Sequence, residues 1–155
     1  MIGWAPTTLL LDTDDGRGKR IVLSAALDET NRTVVAERVM RADTFLTRLI
    51  GLLGRDGLME DEALWISPCK GIHTIGMSFP IDVIFLDDYL KVVALREQVA
   101  PWRATRFFKA ATSVLELPAG SIRRSGVAVG DQIGFTQPPV ELTPLTDRNG
   151  YEEQR

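Results

Sequence analysis

The chain has 155 residues, 45% of them hydrophobic and 25% charged, with 18 Lys and Arg against 21 Asp and Glu for a formal net charge of −3. A chain of this length makes one domain with a core of its own. The mix excludes collagen-like repeats, bulk disorder and a supercharged nucleic-acid binder. The single cysteine, Cys69, rules out an intramolecular disulfide, a zinc ribbon and a CxxC redox pair.

No apolar run approaches the roughly 20 residues of a spanning helix. The N-terminus lacks a basic stretch, and Leu9 to Leu11 is too short for a signal-peptide core. The expectation is a soluble cytoplasmic protein. Slight acidity argues against a phosphate-backbone partner, so neither nucleic acid nor membrane is expected.

Residues 1–32 read as an N-terminal extension with one or two short strands of the same domain. Asp12 to Lys19 (DTDDGRGK) is a turn or loop. It is not a calcium loop, because Gly16 comes one position too early and no Glu stands where the bidentate ligand belongs.

Residues 33–135 form the expected core domain. Thr33 to Met40 (TVVAERVM) is β-rich and reads as one strand. Asp43 or Thr44 then caps a helix whose apolar face is Phe45, Leu46, Leu49, Ile50, Leu52 and Leu53. Gly54 terminates it, with Arg48 and Arg55 near the negative end of the dipole. Gly51 inside it costs about 1 kcal/mol relative to Ala.

Short apolar runs follow, separated by turn residues. Ala63 to Ile66 precedes Ser67-Pro68. Ile81 to Leu86 and Lys91 to Leu95 form a hairpin across Asp87 to Leu90. Ser113 to Leu117 ends at Pro118-Ala119-Gly120, and Gly126 to Asp131 leads into Gln132 to Phe135. Many short strands, one helix and no βαβ alternation indicate a mainly β fold, a compact β-sandwich or barrel-like domain with one short α-helix packed on it. Residues 136–155 hold three of the eight prolines and read as a mobile C-terminal tail.

Trp102 to Lys109 (WRATRFFK) interleaves aromatic and cationic residues, a pattern able to stack single-stranded bases. With three charges the ordinary reading is preferred: aromatics in the core and cations in water.

The densest chemistry lies between Cys69 and Asp82 (CKGIHTIGMSFPID). As a metal site it would use Cys69, His73 and Asp82, with Met77 for a softer ion. No second Cys or His exists to close the ligand set, so no metal and no cofactor is expected. As a catalytic site it would use Cys69 as nucleophile, His73 as base and Asp82 as orienter. As structure, a buried Asp82 accepts backbone N–H bonds or meets a cation, and His73 is a satisfied core residue. Glu116 between Leu115 and Leu117 points to solvent by strand alternation.

HTIGMSFPIDVIFLDDYLKVV, with GLLGR upstream and SVLELPAG and GVAVGDQIGF downstream, resembles the domain-of-unknown-function 192 family. The resemblance runs from about Thr33 to Phe135. It implies a mainly β, sandwich-like fold with a short helix and no established activity. Its motif positions here are Gly51, Leu52 and Arg55, then Met77, Ile81, Asp82 and Phe85, then Glu116 to Gly120, Gly130 and Asp131. Many members carry an aromatic residue and Met-Lys-Asn where this chain has His73 through Ser78, so the resemblance implies no family-wide catalytic role for Cys69 or His73.

The leading expectation is a non-enzymatic module binding a small molecule or protein in a cleft near His73, Met77 and Asp82. Glu116 and Arg55 are further candidates, Arg55 as the partner of Asp82 or Glu116. A Cys69–His73 hydrolase or transferase is the alternative, and a structural accessory of a larger assembly the third.

Overall fold

The computed structural model describes residues 25–42, 52 and 55–136, together with the backbone of 13–14 and 20–21. Ten strands occur in it: β1 (Thr13–Asp14), β2 (Arg20–Ile21), β3 (Ala25–Asp28), β4 (Thr33–Ala36), β5 (Arg38–Ala42), β6 (Glu62–Ile66), β7 (Ile81–Leu86), β8 (Val92–Val99), β9 (Ser113–Pro118) and β10 (Ile133–Thr136). The single-turn helix α1 spans Ser121–Ser125. The fold is mainly β, with two open sheets of three and five strands, ordered β10-β3-β4 and β5-β6-β9-β7-β8. Among the described residues no sheet closes into a barrel. β1 and β2 form a separate antiparallel pair.

β7 explains the layering. Its sequence IDVIFL is buried at every position, as a strand must be when both faces of its sheet are covered. Ile84 and Leu86 face one core, built with Ala26, Val35 and Ile133 of the small sheet and Ile122 of α1. Ile81, Val83 and Phe85 face a second core closed by loop residues, among them Ile72, Met77 and Ala111, and by Leu52. Loops 67–80 and 100–112 thus serve as a third layer.

Two expectations are corrected. Thr33 to Met40 is not one strand. The backbone N–H groups of Glu37 and Arg38 both donate to Asp61 O, at 3.0 and 2.9 Å, and the chain turns there from the small sheet into the large one. Such corners let one strand serve two packed sheets. β5 then runs parallel to β6. The expected helix from Phe45 to Leu53 lies outside the described residues except for Leu52, as does the tail from residue 137. The short helix observed, α1, begins just after Gly120, where no helix was expected.

The hairpin β7–β8 forms as expected. Asp87 Oδ1 accepts the N–H groups of Tyr89 and Lys91, each at 2.9 Å, which fixes the connection.

Candidate functional site

Asp82 sits on β7 with 0% exposure. Its Oδ1 accepts Gln98 N–H at 2.8 Å and its Oδ2 accepts Ile122 N–H at 2.9 Å. Gln98 lies in β8 with φ at 49°, and Ile122 is in the first turn of α1, after Gly120 at φ 90°. One carboxylate therefore fastens an irregular position of β8 and the start of α1 to the central sheet. This is the structural role: buried charge satisfied by backbone donors.

The interior cleft expected around His73, Met77 and Asp82 is not what the structure forms. Asp82 faces the core containing Ile122, whereas Met77 is buried in the other core, across the sheet. His73 is exposed, and its imidazole makes no hydrogen bond or ion pair with the described residues. It is not a satisfied core histidine. Nor does Cys69 meet it: the Cys69 thiol donates to Gly71 O at 3.1 Å, and the Cys69–His73 pair needed for a thiolate is not formed.

Glu116 does not point to solvent. It is 4% exposed, because loops cover the face that alternation assigns to it. Arg55 reaches neither Asp82 nor Glu116. Its Nη2 lies 2.8 Å from Glu62 Oε2, which also accepts Met59 N–H at 3.2 Å. Glu62, at the start of β6, was legible only as one acid in the run Glu60-Asp61-Glu62. Beside it, Arg38 donates to Asp61 Oδ2 at 2.7 Å and holds the Asp61 carboxyl below its ordinary range. Among the described residues no group of His, Cys, Asp and Glu is arranged to hold a metal ion.

A cleft of about 330 Å³ opens between β4, α1 and the turn before β6. Several of its polar groups are paired with one another or with neighbours. Asp61 is tied to Arg38, Ser121 Oγ accepts Arg124 Nη2 at 3.0 Å, and Ser125 Oγ donates to Ser121 O at 2.9 Å.

The third layer differs. Loops 67–80 and 100–112 run antiparallel as an irregular ribbon, with His73 opposite Ala104. Thr74 N–H donates to Arg103 O at 2.8 Å, Thr105 N–H to Ile72 O at 2.9 Å and Phe108 N–H to Lys70 O at 2.9 Å. Ile72 and Thr74 turn inward while His73 and Ile75 turn outward, the alternation a strand imposes. Buried Thr74 is the hub: its Oγ1 donates to Ala100 O at 2.7 Å and accepts Arg103 N–H at 2.9 Å.

That hub displays Trp102, which is 65% exposed with φ at 59°. A left-handed backbone costs an L-residue about 1–2 kcal/mol, and for a bulky residue it is an outlier. Phe107 is 79% exposed and Ile75 50%. The ordinary reading of WRATRFFK is therefore corrected: only Phe108 joins the core, 4.3 Å from Phe85 between ring centroids. Phe108 also carries two guanidinium groups, Arg96 at 4.9 Å and Arg106 at 5.2 Å.

Charge is segregated in the same place. Residues 67–81 and 100–115 contain Lys70, Arg103, Arg106 and Lys109 and no Asp or Glu, inside a chain of net −3. Among the described residues no carboxylate pairs with these four or with Arg96, whereas Arg38, Arg55 and Arg123 each have one.

Residues 26–135 match the model of the family DUF192, described as Uncharacterized ACR, COG1430. The chain is 33% identical over 115 residues to the UPF0127 protein TK1120 of Thermococcus kodakarensis, covering 71% of this chain and 72% of that one. It is also 33% identical over 114 residues to a UPF0127 protein of Thermococcus sibiricus, with 70% and 73% covered. A protein of unknown function from Novosphingobium aromaticivorans shares the fold with a TM-score of 0.67 and 21% identity, over 79% of this chain and 90% of that one. A protein of Sinorhizobium meliloti described as a putative transcription regulator does so with a TM-score of 0.62 and 20% identity, over 72% and 91%. With its fold and its motifs in agreement, the chain belongs to the DUF192 family of uncharacterised proteins.

Proposed function

We propose that the protein is a non-catalytic docking module whose working surface is the outer face of the 67–80/100–112 ribbon, and that its partner is polyanionic. The observation that carries this reading is Trp102, an exposed aromatic side chain held in strained backbone by a buried hydrogen-bond hub. Such strain points to a function for the residue it displays. The cations of this face, none paired with a carboxylate among the described residues, supply the sign of the partner. Stacking on Phe108 fixes two of them in advance, which lowers the ordering cost of binding.

The Sinorhizobium neighbour's description as a putative transcription regulator would make a nucleic acid one such polyanion. A Cys69–His73 enzyme finds no support in the geometry.

Heparin, a soluble polyanion, tests the sign. The full chain is retained on immobilised heparin at low ionic strength and released by salt, as a screened interaction must be. The variant Arg103→Glu/Lys109→Glu, altering two exposed cations that do not pack on Phe108, passes through unretained. Flow-through of the unaltered chain, or equal retention of the variant, overturns the proposal.

A further inference from the structure

We infer that the polyanion met by this face is the surface of an anionic lipid bilayer. The inference rests on the docking reading above and adds to it the identity of the partner. Ile75 occupies the tip of a tight turn: Met77 N–H donates to Thr74 O at 3.1 Å, and Gly76 provides φ 84°. The same Thr74 carbonyl accepts Trp102 N–H at 3.0 Å, which places the Trp102 backbone against that turn. Ile75 and Trp102 thus project from adjacent turns, one aliphatic and one aromatic.

The pairing discriminates between polyanions. A nucleobase offers a π-face, which rewards an aromatic ring and gives a branched aliphatic side chain nothing comparable. The boundary between lipid headgroups and acyl chains takes both, and tryptophan favours that depth. Arg103 follows Trp102 in the chain, and Arg96 and Arg106 are stacked in place on Phe108, so that the ribbon offers cations to headgroup phosphates. The rest of the chain carries the excess of carboxylates, so an anionic surface attracts this face and repels the remainder. No helix of the described residues is long and apolar enough to cross a membrane, and the contact inferred is peripheral.

Vesicle sedimentation with the full chain tests this, using phosphatidylcholine vesicles with and without about 30 mol% phosphatidylglycerol. An oligothymidylate serves as the nucleic-acid probe, and heparin retention runs alongside. The expected result is sedimentation with the anionic vesicles and much less with the neutral ones. Trp102→Ser/Phe107→Ser then lowers partition about tenfold or more. Ile75→Ser, a single change at a turn tip, lowers partition in the same direction should the double variant fold poorly. Vesicle binding indifferent to these apolar side chains, or binding of the oligothymidylate without the vesicles, overturns the lipid assignment and leaves the docking reading standing. Loss of heparin retention by the unaltered chain removes both.

Discussion

Asp82 lies at 0% exposure in an apolar strand, and Trp102 stands 65% exposed on a loop. Each reverses the usual placement of its residue type. The carboxylate is compensated within the molecule, by two backbone N–H groups at 2.8 and 2.9 Å. For the tryptophan the molecule supplies strain instead of compensation, along with cations that no carboxylate among the described residues answers. A misplaced residue marks an external partner only when the fold leaves it unsatisfied. That contrast is why the proposed binding surface is the ribbon and not the surroundings of Asp82.

The largest effect that sharpens the contrast is expected at Asp82. Asp82→Ala leaves the buried Ile122 N–H and the part-buried Gln98 N–H without their acceptor and should destabilise by about 2–3 kcal/mol, read from urea unfolding. Loosening of α1 should accompany it as faster amide exchange at Ile122. An unchanged midpoint would mean that the carboxylate is not the fastener. Next comes the partly buried Arg55–Glu62 pair. Glu62→Gln removes its charge and weakens the bond to Met59 N–H, for an expected loss of about 1–2 kcal/mol.

Trp102→Gly probes the other side of the contrast. Relief of the left-handed strain opposes the greater freedom of glycine in the unfolded chain, so stability should change by no more than about 1 kcal/mol in either direction. A loss well beyond that would make Trp102 a packing residue. The smallest effect is expected from acid. Burial raises the Asp28 carboxyl, but bonds from Asn31 and from Thr30 N–H outweigh it and hold the group below 3.8. Its ionised form is favoured in the folded state. That contribution is complete above the ordinary carboxyl range and fades as pH falls through the lowered value. Thermal midpoints should therefore decline modestly on acidification below about pH 4, and less so in Asp28→Asn.

Much of the fold was legible in the sequence because turns and alternation are local. The hairpin at Asp87 and the strand ending at Pro118 follow from their own residues. The break at Glu37 does not, since it depends on Asp61 O, a distant acceptor that no local pattern reveals. Glu116 misled for a similar reason: alternation predicts which face a residue takes, not whether loops will cover that face. Asp82 was visible as an anomaly, but its partners are backbone groups and leave no residue signature. The ribbon's charge was hidden by the chain's net −3, which averages over a segregated distribution.

Heparin retention of two single variants, each checked as folded at the working temperature, puts the contrast to its sharpest test. Asp82→Asn should bind as the unaltered chain does despite lower stability, while Arg103→Glu should elute markedly earlier at unchanged stability. A folded Asp82→Asn protein that has lost retention, beside an Arg103→Glu protein that keeps it, would place the binding surface at Asp82 and not on the ribbon.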